Sequence, residues 1–270
     1  MAFVSRLLAR ALPGRLYRPI DNAIQKYGYS GNYASWDDAK AHSAGYDDDE
    51  ILSRVRDALL KVKRGEAVAE RDSVLFSAVP YSFPVTAALL GVASRSDGVL
   101  SVLDFGGSLG SSYFQFLSFP CRLARLEWSI VEQPNFVQCG KELFEDGSLR
   151  FFPDIAACAR ERTPNVALLC SVLSYLPEPY ALLEELVQRR IDTIVVDRTL
   201  FHARTEDRLT VQRVPPQIYE ASYPCWVFGH ARYVRFMEQA YRCVAEFDSL
   251  RGPEERIGAR QLGHIWQLKS

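Results

Sequence analysis

The chain has 270 residues, 48% hydrophobic and 24% charged, enough to bury a full core as one large domain or one domain with an extension. Its net charge of −1 offers no basic surface for nucleic acid, and no run approaches the ~20 apolar residues of a membrane span. Six scattered cysteines without a Cys-x-x-Cys pair, and four histidines (His42, His202, His230, His264) without ligand spacing, argue against a disulfide framework or a metal centre. The cysteines read as reduced core residues of a cytoplasmic protein.

The N-terminus carries Arg6, Arg10, Arg15 and Arg18 before its first acid, Asp21. Phe3, Val4, Leu7, Leu8 and Leu12 alternate with these arginines at helical spacing until Pro13-Gly14. This is a helix docked on the domain with solvated arginines, or a peripheral contact with an anionic inner-membrane surface; the interspersed charges disfavour a secretory signal. Residues 1–95 read as a helical, loop-rich extension or cap. One helix within it has Ile51, Val55, Leu59 and Val62 on its apolar face, acids from Asp47 to Glu50 at its start, and Lys61, Lys63 and Arg64 before Gly65. From Val99 on, short apolar strands are expected at 99–105, 126–131, 149–152, 165–170 and 191–196, with helices between, the best at 178–188. Tyr241–Phe247 and Leu262–Leu268 have only a turn-prone segment between them, too short for a crossover helix, so they predict a terminal antiparallel hairpin. The whole is an α/β, doubly wound, mostly parallel seven-stranded sheet, Rossmann-like.

The strand at 99–105 runs directly into Gly106, Gly107, Ser108 and Gly110. A strand, a glycine turn and a helix start make a corner where backbone N–H groups can approach a nucleoside cofactor, although a glycine turn alone can be only a tight turn. Asp104, at the strand's end, would repel a pyrophosphate and attract the cationic sulfonium and amino group of S-adenosylmethionine. Glu132 ends the next strand, 22 positions beyond Gly110, where a carboxylate can accept both ribose hydroxyls. The glycines fit Gly-x-Gly-x-x-Gly poorly, which disfavours a nicotinamide-dependent sugar oxidoreductase. A non-catalytic interaction module that retains the fold is the remaining alternative.

The spacing Asp-x-Gly-x-Ser-x-Gly resembles the first motif of class I S-adenosylmethionine-dependent methyltransferases. Further phrases extend the likeness: Ser30-Gly31-Asn32-Tyr33 with Trp36 and Ala39, Ser43-Ala44-Gly45-Tyr46, Glu70 to Phe76, Ser171 to Pro177, Asp197-Arg198-Thr199, and Gln212 to Pro216 with Tyr219. Together, over residues 30–250, they resemble a family of bacterial methyltransferases encoded among surface-polysaccharide biosynthesis genes. The resemblance implies S-adenosyl-L-methionine as cofactor and a methyl acceptor on a glycan or small-molecule glycan precursor, while the strand–helix alternation sets residues 96–270 as the binding domain.

Gly106, Gly107, Ser108 and Gly110 are expected to line the methionine and ribose, Asp104 to hold the amino group, and Glu132 to clasp the ribose. Asp154 is a candidate for the adenine amine or a plain helix cap. Ser171 would lie beside the methyl group unless it merely ends its strand. A lid at about 197–230 would supply Arg198, Tyr219 and Tyr223 for the acceptor, with Trp226 nearby. His202 and Asp197 are the candidate bases. The alternatives are an Asp197–Arg198 ion pair and simple packing of the lid aromatics. Tyr33, Trp36 and Glu70-Arg71-Asp72 could close the pocket from the N-terminal side.

Overall fold

A computed structural model describes residues 27–45, 48–215, 221–249 and 254–269. The basic N-terminal stretch and Tyr219 fall outside them. Contacts divide the chain into two units, Met1–Tyr46 with Leu209–Cys225, and Asp47–Arg208 with Trp226–Ser270.

The elements begin with β1 (Gly28–Tyr33), α1 (Trp36–Ala41), α2 (Asp48–Lys63), β2 (Ala69–Arg71), β3 (Val74–Phe76) and α3 (Phe83–Arg95). Strands and helices then alternate: β4 (Val99–Phe105), α4 (Ser111–Leu117), β5 (Arg125–Val131), α5 (Pro134–Leu143), β6 (Leu149–Phe152), α6 (Ile155–Glu161), β7 (Val166–Cys170), α7 (Pro179–Gln188) and β8 (Thr193–His202). The chain finishes with β9 (Arg208–Arg213), β10 (Ser222–Gly229), α8 (His230–Met237), β11 (Tyr241–Asp248) and β12 (Ala259–Leu268).

In the first unit β1 pairs antiparallel with β9, from Gly28 opposite Arg213 to Tyr33 opposite Leu209, with an irregularity between Ser30 and Tyr33. Ser35 caps α1 by accepting the Asp38 N–H. Thr210 donates its hydroxyl to the Cys225 carbonyl, and Ser222 accepts the Ala44 N–H, so the start of β10 is tied to β9 and to the backbone at Ala44.

The second unit is built on the sheet order β6-β5-β4-β7-β8-β12-β11. The first five strands are parallel; β12 is antiparallel to β8, and β11 to β12. This is the α/β sheet with a terminal hairpin that the sequence predicts. Alternation along each strand divides its side chains between two cores. Val102, Leu168 and Val195 face α2, α3 and α5 together with Leu59, Leu89 and Val137. Their neighbours Leu103, Leu169 and Val196 face α7 and α8 with Leu183, Leu186 and Met237. All six strand residues are fully buried, and each such side chain stabilises the fold by about 1.5–3 kcal/mol.

Two stretches differ from expectation. The extension is not purely helical, since β1 and the β2–β3 hairpin lie in it. Strand β8 runs on to His202 because Ala259–Leu262 of β12 pair with its second half. The 197–230 segment therefore consists mostly of strand, in the end of β8, in β9 and in β10.

Candidate active site

The glycine corner lies wholly in the second unit. Gly106 and Gly110 have φ of +70° and +109°, left-handed values that cost glycine nothing. Gly107 answers a different demand, because a Cβ there would come within 2.7 Å of the Asp104 carboxylate. The loop thus descends directly onto Asp104, whose side chain is sealed beneath it at 1% exposure. Asp104 Oδ2 accepts the indole N–H of Trp128 at 3.0 Å. Burial pushes its carboxyl up to about 7, Trp128 and Arg198 oppose the rise, and Glu132 adds to it.

Glu132 reaches from the end of β5 to the same loop. Its Oε1 accepts the Ser108 N–H at 3.2 Å and its Oε2 the Gln133 N–H at 2.8 Å. Ser108 itself has φ +55°, an uncommon value for a residue with a side chain. The expected loop residues and both acids are therefore brought together. Asp154 caps α6 through the Ala157 N–H at 2.6 Å, so one of its oxygens serves the helix. Ser171 has φ +60°, and its N–H donates to the Asp197 carbonyl.

Beside the corner, a cleft opens between the β2–β3 hairpin, α3, α4 and the carboxyl ends of β7 and β8. Its polar lining includes Arg71, Tyr81, Ser82, Ser112, Gln115, Asp197 and Arg198. Asp197 is buried, and its Oδ1 accepts both the Ser249 hydroxyl at 2.7 Å and the Arg198 N–H at 2.8 Å. Burial opposes the charge of Arg198, but Cys170, Asp72 and Asp197 outweigh it and raise its pKa. Burial also lowers the pKa of Arg71, and nearby Arg198 adds to this. Arg71 donates to the Pro80 carbonyl at 2.9 Å. Glu70 is turned inward, where it bonds the Ser111 hydroxyl and the Ser73 N–H, and burial raises its pKa to about 7.

His202 is not brought to the cleft. It lies at the far end of β8, five residues beyond Asp197, and its Nδ1 accepts the Arg204 N–H at 3.0 Å. Burial lowers its pKa, first among several causes. Trp226 donates its indole N–H to the Leu176 carbonyl. Tyr33, Trp36 and Tyr223 belong to the first unit, where Tyr33 stacks at a tilt on His42. Sequence reasoning missed Trp128 as the partner of Asp104, Ser249 as the partner of Asp197, and the inward turn of Glu70. All three depend on tertiary register, and no local spacing announces them.

No protein-family model matches the sequence, and neither does any curated protein. Among solved structures, the N-terminal domain of EvdMO1 with SAH and D-fucose aligns over 83% of this chain and 98% of its own, at 14% identity and TM-score 0.48. The Burkholderia thailandensis 1,6-didemethyltoxoflavin-N1-methyltransferase aligns over 84% and 95%, at 16% identity and TM-score 0.43. The glycopeptide N-methyltransferase MtfA with sinefungin aligns over 68% and 94%, at 12% identity and TM-score 0.46. Likenesses this distant assign neither activity nor ligand to the chain.

Proposed function

We propose that the chain is an S-adenosylmethionine-dependent methyltransferase that methylates a saccharide hydroxyl, on a surface polysaccharide or its precursor. The observation that carries this reading is the acid pair at the glycine corner, with Asp104 sealed beneath Gly107 and Glu132 bonded to the Ser108 N–H. Gly106, Gly107, Ser108 and Gly110 would line the cofactor's methionine and ribose. Asp104 would hold its amino group, directly or through water, and Glu132 would take the ribose hydroxyls. The second oxygen of Asp154 is available for the adenine amine, and Ser171 stands at the tip of β7 for the methyl end.

The bound cofactor supplies a methyl group on a sulfonium, already an excellent leaving arrangement. The protein's task is then alignment of the acceptor for in-line attack. The cleft suits that task, since Arg71, Gln115 and Arg198 offer donors to sugar oxygens beside the aromatic Tyr81. Of the two candidate bases, Asp197 lines this cleft and is retained, whereas His202, at the far end of β8, is not among its lining residues. Tyr223 and the undescribed Tyr219 remain proposals for the acceptor, as does contact of the basic N-terminal stretch with the inner membrane.

The test is mass spectrometry of the surface glycan from cells with and without the protein, read for a methyl's mass increment. Loss of that increment, restored by the wild-type chain and not by Glu132→Ala, is expected. An unchanged glycan would remove the saccharide acceptor. Binding of NADH in preference to S-adenosylmethionine would remove the methyltransferase reading altogether.

A further inference from the structure

His230, Glu246 and His264 converge on one point although no sequence spacing links them. His230 opens α8, while Glu246 on β11 and His264 on β12 are cross-strand partners. The distances are 3.3 Å between the two Nε2 atoms, 3.2 Å from His264 Nε2 to Glu246 Oε2, and 2.7 Å from His230 Nε2 to the same oxygen. Among the described residues this is the group of histidine, cysteine and carboxylate side chains whose donor atoms converge in this way.

We propose that these three side chains form a zinc site, with water completing a tetrahedron. Zinc holds imidazole nitrogen and carboxylate oxygen at about 2.0–2.2 Å, so neighbouring donors in a tetrahedron stand about 3.3–3.5 Å apart. One of the three edges, at 3.3 Å, already has this length, and a second, at 3.2 Å, is just short of it. The third opens by a small swing of Glu246, whose side chain is 44% exposed. The N₂O donor set suits zinc among the common divalent ions, and the exposed side of the group leaves room for the fourth ligand.

The ring of His264 is held in place for this role. It stacks on Trp266 at 5.7 Å with an interplanar angle of 13°, and Phe201 and Tyr233 stand edge-on at 5.0 and 5.1 Å. Its Nδ1 is buried without a partner, and Nε2 is the ring atom that reaches the other two side chains. Metal binding would displace any proton on the two Nε2 atoms into solvent. Phe201, Tyr233 and Trp266 belong to the core on the α7–α8 face, whereas Trp128 and Leu168 of the cleft belong to the opposite one. The site would therefore act as a clip between α8 and the terminal hairpin, apart from the chemistry at the cleft.

The experiment uses the full chain, freed of affinity tag and stripped with chelator, titrated with Zn²⁺ by calorimetry. One equivalent should bind, raising Tm by about 5–10 °C at a hundredfold excess over Kd. Co²⁺ should give the visible bands of a four-coordinate ion, and Zn²⁺ should abolish them. Glu246→Gln and His230→Ala, checked for fold by circular dichroism, should each weaken binding at least about 100-fold. The affinity of S-adenosylhomocysteine should be the same with and without Zn²⁺. Sub-stoichiometric binding to the wild type, or full affinity in both variants, would reduce the group to a hydrogen-bonded triad and overturn the proposal.

Discussion

At the scale of single residues, the account rests on a carboxyl whose pKa burial raises to about 7. Asp104 titrates near 7, and a cationic cofactor amino group favours its ionised form. Cofactor affinity should therefore rise as pH increases through about 7, by up to tenfold per unit below it, and level off above. Calorimetry at about pH 6 and about pH 8 checks this, and Asp104→Asn should bind more weakly with the slope removed. Gly107→Ala tests the close approach without any strain from a left-handed φ. Its Cβ must displace the Asp104 carboxylate, so a loss of about 1–3 kcal/mol in chemical denaturation is expected, together with weakened cofactor binding. The sequence made the glycines, Asp104 and Glu132 legible because one strand-turn-helix passage fixes their relation. It could not reveal the Trp128 indole, because only the pairing of β4 with β5 brings that ring across to Asp104.

At the scale of elements, the parallel strands were legible because each is an apolar run bounded by turn residues. The terminal hairpin was legible because too few residues separate its strands for a crossover. The β2–β3 hairpin was not, since three residues a side carry no periodicity and Asp72 and Ser73 make its turn at φ of +51° and +64°. The extension of β8 was hidden too, because its second half is strand through pairing with β12 and looks like loop when read alone. That terminal hairpin offers a test of packing. Gly263 lies opposite Phe247, and a Cβ there would run into the phenyl ring. Gly263→Ala should cost about 1–3 kcal/mol by thermal denaturation, with the far-ultraviolet spectrum unchanged. A variant as stable as wild type would mean that the ring moves aside freely.

At the scale of the whole molecule, two buried carboxyls set how stability responds to pH. Asp104 and Glu70 both titrate near 7 in the fold, against ordinary values of 3.8 and 4.5. Between those limits the folded chain binds more protons than the unfolded one, so these groups make stability fall as pH rises from about 4.5 to about 7. Denaturant titrations across that range should show the decline, and Asp104→Asn should flatten part of it. The fold class was legible in the chain as a whole, whereas the division at Leu209–Cys225 was not, because those residues join the first unit through pairing with β1 and bridging to Gly45, both of them long-range contacts. The central claim is that Asp104, Glu132 and the glycine turn hold S-adenosylmethionine. Its most direct test is calorimetric titration of S-adenosylmethionine and S-adenosylhomocysteine into the wild-type chain and Glu132→Ala. One site per chain is predicted, with both ligands weakened alike, about 10–100-fold, by loss of the ribose bonds. Absence of binding to the folded wild type, or equal affinities in the variant, would contradict it.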